Sequence, residues 1–132
     1  KLYIAYKTNL GKVSGTVFND LKARYENGDE KALSSLNRIA ALAEEGKQVI
    51  LNRDNNRLSQ MMNENYDEMR KVMNISDSNL ELVETARACG ASAKFTGSGG
   101  SIIGIYKDDD MLKKLIIELK AINARVIKPH IF

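Results

Sequence analysis

Between Lys94 and Ser101 the chain reads Lys-Phe-Thr-Gly-Ser-Gly-Gly-Ser, three glycines and three hydroxyls set between two apolar runs. Upstream, Ala91-Ser92-Ala93 closes a helical pattern; downstream, Ile102-Ile103-Gly104-Ile105-Tyr106 is rich in β-formers and ends in charge. A glycine-rich connection between two such runs predicts a β-hairpin. A dinucleotide-binding loop would open a helix, but Ile102 stands three residues after Gly99 and a strand-like run follows. The Gly-Lys-Ser or Gly-Lys-Thr of a Walker loop is absent too. What is left is a hairpin whose backbone N–H groups are unobstructed, open to an anion, to the approach of another loop, or to neither.

The other elements follow from periodicity and punctuation. Lys1 to Lys7 predicts a strand, and its position at the very start suggests a chain cut from something larger or a processed terminus. Val13, Val17, Phe18, Leu21 and Tyr25 recur at helical spacing. Ser14 and Thr16 fall in the first turn of that helix beside Lys12, where they serve as ordinary caps or as an anion site. Gly28-Asp29 stops that helix and caps a long one with Leu33, Leu36, Ile39, Ala40, Ala43 and Ile50 on one stripe. Asp54 caps the next, which buries Leu58, Met61, Met62, Met69, Val72 and Met73, with polar Asn65 set in the same stripe. Methionines at this spacing are adaptable core filler, so Asn65 alone needs a partner or a cleft.

Ser78 and Glu81 have the spacing of a capping box for a helix that ends at Gly90, with Leu82, Val83, Ala86 and Cys89 inward. Asp108 to Asp110 suit the start of a helix with Leu112, Leu115, Ile116, Leu119 and Ile122 on its apolar side. Ala124 to Ile127 is a last strand, stopped by Pro129. Helices on one face of a small antiparallel sheet make this an α+β plait of the ferredoxin-like kind, with extra helices inserted after the first strand.

Composition narrows the chemistry. A chain of 132 residues with 43% hydrophobic and 28% charged side chains is a single domain. Cys89 is the only cysteine and His130 the only histidine, which leaves no zinc spacing and no Cys-His pair. The net charge is +3, but basic residues alternate with acids and no basic stripe carries aromatic platforms, so nucleic acid is not an expected partner. Nor is a membrane, since no run approaches the roughly 20 apolar residues of a span. The expected location is the cytoplasm.

Ala93 to Gly100, placed after the helix ending Ala86-Arg87-Ala88-Cys89-Gly90-Ala91, resembles the third conserved motif of the GHMP small-molecule kinases. Met62-Asn63-Glu64-Asn65, followed by a turn at Asn74-Ile75-Ser76, resembles the same family in the same order. The Lys-Phe-Thr-Gly-Ser-Gly-Gly version of the loop is most similar to the sugar-acid branch, the glucuronokinases, rather than to galactokinase or mevalonate kinase. Leu2-Tyr3-Ile4, Gly11-Lys12-Val13, Gly28-Asp29-Glu30 and Leu42-Ala43-Glu44-Glu45-Gly46 agree with that branch, while Ser14-Gly15 departs from its His-Ser.

The resemblance implies the C-terminal half of a kinase that moves the γ-phosphoryl group of ATP, with Mg2+, to a sugar hydroxyl, glucuronate C1 leading. It implies a missing N-terminal domain that carries the Gly-Leu-x-Ser-Ser phosphate loop and the acidic residue acting on the substrate, and that binds most of the ATP and Mg2+. No catalytic residue and no metal ligand is expected in this chain, which alone would be inactive. Thr96, Gly97, Ser98, Gly99, Gly100 and Ser101 would line the phosphate and substrate cleft. Lys94, Lys12, Ser14 and Asn65 would form the rest of the substrate wall. The alternative is a stand-alone module for small-ligand binding or protein interaction.

Overall fold

A computed structural model of the chain describes residues 1–8, 21–97 and 100–129. Four strands, β1 (Leu2–Lys7), β2 (Lys94–Phe95), β3 (Ser101–Ile105) and β4 (Ala124–Ile127), form one antiparallel sheet in the order β2-β3-β1-β4. The helices are α1, described over residues 21–26, then α2 (Glu30–Leu51), α3 (Asn55–Val72), α4 (Asp77–Ala88) and α5 (Asp109–Lys120). The first strand lies inside the sheet, between two strands from the second half of the chain. That is the ferredoxin-like order, with α1 to α3 inserted before the α4 crossover, and the α+β plait expected from the sequence is the fold observed.

Pairing register decides which side chains share a face. Tyr3 stands opposite Gly104 and Ala5 opposite both Ile102 and Val126. Tyr3, Ala5 and Ile102 are fully buried, packed with Leu82, Val83 and Ala86 of α4 and Leu115 and Leu119 of α5. Each large apolar side chain sealed here contributes roughly 1.5–3 kcal/mol relative to exposure. Gly104 makes this layer possible, because a Cβ there would lie 1.8 Å from the Ser92 carbonyl oxygen and 2.8 Å from the Tyr3 ring. The Tyr3 hydroxyl holds that carbonyl in place, donating to it at 2.6 Å. Burial pushes the Tyr3 phenol far above its ordinary pKa, so it stays a donor.

Helix starts follow the acids and hydroxyls. Asp29, Asp54 and Asp108 accept from first-turn N–H groups at 2.9–3.2 Å, as their positions predicted. The predicted capping box of α4 is displaced: Ser76 is the N-cap, accepting from Asn79 N at 3.3 Å. Ser78 and Glu81 are engaged elsewhere, by Lys7 (below). At its other end α4 closes at Gly90, with φ of +94°.

The α2 stripe is rotated from the expected one. Ala32, Ser35, Leu42 and Val49 are buried, whereas Ile50 is 61% exposed. Among the described residues α2 packs mainly on α3, with Leu21 of α1 joining at its first turns, so a narrow seam recurring every seven residues is covered. Leu42 and Val49 pack on Met61 and Leu58 at one end of this hairpin. Ala32 and Leu36 meet Met69, Val72 and Met73 at the other. In α5 the expected face holds except at its border, where Ile116 is 45% exposed. In α1, Leu21 is buried and Tyr25 exposed.

Candidate functional site

β1 ends, β2 turns into β3 and α4 begins at one end of the sheet, and the glycine turn lies where they meet. β2 is only two residues long, pairing Lys94 with Ile103 and Phe95 with Ile102. Beyond it Thr96 N donates to the Ser101 carbonyl at 3.2 Å, and the hydroxyls of Thr96 and Ser101 bond to each other. These contacts close the base of the turn. Gly97 is exposed, and a Cβ there would meet no atom of the described residues within 4 Å. Gly100 has φ of +83°, a left-handed conformation that favours glycine.

Two contacts tie the returning arm of the turn to its surroundings. Gly100 N donates to Asn79 Oδ1 at 2.9 Å, in the first turn of α4, and the Gly100 carbonyl accepts from Lys7 N at 3.1 Å. Lys7 then reaches under α4, where its Nζ donates to Ser78 Oγ at 2.8 Å and pairs with Glu81 at 3.0 Å. Its side chain is only 5% exposed. A buried ammonium needs such partners, since an unpaired one would be expensive. β1, the turn and α4 are thereby locked as one piece.

Lys94 lies on the sheet face opposite the sealed one, beside Ile103, and is half-buried. Burial lowers the pKa of its ammonium. Among the described residues Lys94 has no ion pair. A partly desolvated cation without a counter-charge, next to an exposed glycine tip and two hydroxyls, is suited to receive a carboxylate or a phosphoryl oxygen.

Of the site residues expected from the sequence, the structure brings together Lys94, Thr96, Gly97, Gly100 and Ser101. Lys12, Ser14, Ser98 and Gly99 lie outside the described residues. Asn65 stands apart from the turn. It sits one helical turn from both Met61 and Met69, which pack on α2, and its buried Oδ1 has no hydrogen-bond partner among the described residues. Asn63 is the α3 amide that reaches toward β2: its Oδ1 accepts from Ala93 N at 3.0 Å, just before Lys94. Its carbonyl accepts from Arg87, which also pairs with Asp67 at 3.0 Å and stacks on the Tyr66 ring.

Asn63, Asn79 and Lys7 are the supporting residues that sequence reasoning passed over. Lys7 left a signal, being in phase with buried Tyr3 and Ala5. Among the described residues no three His, Cys, Asp or Glu side chains cluster as a metal site, and no helix is long and apolar enough to cross a membrane.

Residues 31–124 match the family described as GHMP kinases C terminal. The chain is 37% identical over 120 residues to glucuronokinase 1 of Arabidopsis thaliana, covering 89% of this chain and 33% of the relative. It is 36% identical over 131 residues to probable glucuronokinase 2 of the same plant, covering 97% and 36%. The chain thus spans about a third of the length of these curated relatives. Among solved structures, L. major mevalonate kinase in complex with R-mevalonate superposes with a TM-score of 0.80 at 22% identity, over 91% of this chain and 38% of that one. The Lin0012 protein of Listeria innocua superposes with a TM-score of 0.87 at 19% identity, over 98% and 39%. At such identities the two structures speak for the fold.

Proposed function

Since the chain belongs to the GHMP kinase C-terminal family, we propose that it is the C-terminal part of a cytoplasmic, ATP-dependent sugar-acid kinase that forms glucuronate 1-phosphate. The observation that carries this reading is the 36–37% identity to two glucuronokinases over 89% and 97% of the chain. ATP, when bound, supplies the γ-phosphoryl group, and the C1 hydroxyl of the sugar acid receives it. Nucleotide and Mg2+ are assigned mainly to an N-terminal domain of the same polypeptide.

This chain's contribution is a wall of the cleft. Gly97 leaves the turn tip free of side chain, so a second domain or a phosphate can approach the backbone closely. Thr96 N and Gly100 N are already committed to Ser101 and Asn79, so these two donors are not free for a phosphate. Ser98, Gly99, Lys12 and Ser14 complete the proposed wall. Lys94 gives the sugar carboxylate its counter-charge, and Thr96 and Ser101 flank it with hydroxyls.

The test is ATP consumption by the full-length polypeptide with glucuronate, galacturonate, galactose, mevalonate and homoserine, with this chain alone as control. Turnover on glucuronate and a silent control are expected. Lys94→Met should lower kcat/KM for glucuronate by about 10- to 100-fold, the scale of a lost charge-assisted hydrogen bond, and act less on neutral galactose. Turnover confined to mevalonate or homoserine would sink the sugar-acid reading, and equal losses on both sugars would remove Lys94 from carboxylate recognition.

A further inference from the structure

β2 is an edge strand of two residues, and one of the two is Lys94. The residues on either side of Lys94, Ala93 and Phe95, are buried in the sealed layer. Lys94 points the other way, at the end of an apolar row on the open face formed by Ile103, Ile4 and Ile127 across β3, β1 and β4. An ammonium beside apolar surface is drawn toward water. Two residues of pairing are a short hold against that pull, and the edge of β2 away from β3 has no strand beside it. α3 supplies the grip on that edge. Asn63 Oδ1 takes the N–H of Ala93 at 3.0 Å, and the Tyr66 ring meets Phe95 edge to face with centroids 5.6 Å apart. Lys94 is thereby held through both of its chain neighbours. One guanidinium governs both contacts: Arg87 of α4 donates to the Asn63 carbonyl at 3.0 Å, pairs with Asp67 one turn further along α3 at 3.0 Å, and lies 4.7 Å over the Tyr66 ring.

We propose that Asn63, gripped by Arg87, is the positioning residue that sets where the Lys94 ammonium stands. The inference rests on the reading of Lys94 as the counter-charge of a sugar carboxylate. Asn63 acts through the backbone: with its acceptor gone, the Ala93 N–H is left buried and unpaired, a state the strand relieves by shifting. A displacement of about 1 Å at a substrate-holding group costs up to about 100-fold in rate. The carboxylate is set apart from the reacting C1 hydroxyl by the sugar ring, so Lys94 binds it alike before and during phosphoryl transfer, and the loss falls on KM. The same helix holds the other arm of the glycine turn, where Asn79 accepts from Gly100 N at 2.9 Å. Both arms are therefore set from α4, one directly and one through Arg87 and Asn63.

The experiment uses the full-length polypeptide carrying Asn63→Ala, which removes the acceptor, Asn63→Asp, which keeps an accepting oxygen, or Arg87→Lys, which keeps the charge and gives up the forked grip, each alone and with Lys94→Met. Asn63→Ala should raise KM for glucuronate about tenfold while KM for ATP and kcat stay within about twofold, and in the Lys94→Met background it should add less than about twofold. Asn63→Asp should stay within about threefold of the parent, with Arg87→Lys between the two. An equal loss with and without Lys94 makes Asn63 a merely structural residue and overturns the proposal. Position is read without turnover from the methyl NMR resonance of reductively methylated Lys94, identified by its absence in Lys94→Met. Burial lowers the pKa of Lys94, so in Asn63→Ala this resonance should shift and its titration midpoint rise toward that of the exposed lysines. A Lys94 resonance unmoved in both Asn63→Ala and Arg87→Lys overturns the proposal, whatever the substrate, and the second variant keeps the test available if the first fails to fold. A moved resonance in a polypeptide that is silent on glucuronate, or whose KM ignores Lys94→Met, keeps Asn63 and Arg87 as positioning residues and discards the sugar-acid reading instead.

Discussion

A side chain added at Gly97 would enter open space, whereas one added at Gly104 would collide with the Ser92 carbonyl at 1.8 Å. The same residue type on one hairpin therefore serves two ends, access at the tip and close packing below. Gly97→Val should leave stability within about 0.5 kcal/mol of the parent while lowering turnover of the full-length enzyme at least about tenfold. Gly104→Val should cost more than about 3 kcal/mol or abolish folding. Melting curves and kcat/KM measured side by side check both; unchanged turnover for the Gly97 variant removes the turn from the cleft. At this scale the sequence was partly legible. Clustered glycines and hydroxyls marked the turn, but Lys7, Asn63 and Asn79 were hidden because their roles depend on strand register and on a helix arriving from far along the chain.

Among the elements, the α2–α3 hairpin is where periodicity misled most. Hydrophobic spacing alone permits several stripes on a helix as apolar as α2. The one selected puts Ala32 and Ser35 at the contact, where small side chains let the helices approach. Asn65 lies in the facing stripe of α3 with a buried oxygen unpaired among the described residues, a group that costs about 1–3 kcal/mol when left unsatisfied. Asn65→Leu, close in size, should raise stability by about 1 kcal/mol, a few degrees in Tm, with turnover retained. A rise in Tm accompanied by loss of turnover would instead support Asn65 as part of the substrate wall. Helix starts were legible wherever an aspartate preceded an apolar run. They failed at α4, where Ser76 and Ser78 both offered a cap and only tertiary contact with Lys7 decided between them.

For the molecule as a whole, acid should separate the two halves of the fold. The guanidinium of Arg24 holds Asp29 below the usual carboxylate range, Arg57 does the same for Glu45, and Lys71 for Glu68. Each contributes stability that is present above the unfolded carboxylate pKa of about 4 and is lost as pH falls through the lower folded value. The first ties α1 to the start of α2, the second ties α2 to α3 and the third lies within α3, whereas the sheet layer is held mainly by buried apolar contacts and by hydrogen bonds such as Tyr3 to Ser92, with Lys7–Glu81 as the ion pair joining β1 to α4. Hydrogen exchange resolved by peptide should therefore show α2 and α3 opening before β1 and β3 as pH drops below about 4. Simultaneous opening would mean that the hairpin has no independent stability. The fold class was legible from the order of strand and helix patterns. The apolar open face was not, because deciding which alternate residues are sealed requires the register.

β1 occupies the middle of the sheet, yet it is the first strand in the chain, and both of its neighbours come from the last third. Order along the chain is also order in time on the ribosome. The α2–α3 hairpin can close as soon as it emerges, because its partners are adjacent in sequence, but β1 waits for β3 and then β4 before its edges are filled. The row Ile103–Ile4–Ile127 on the face opposite the sealed one is therefore assembled only when Ile127 arrives, so during synthesis this face of the sheet takes shape last.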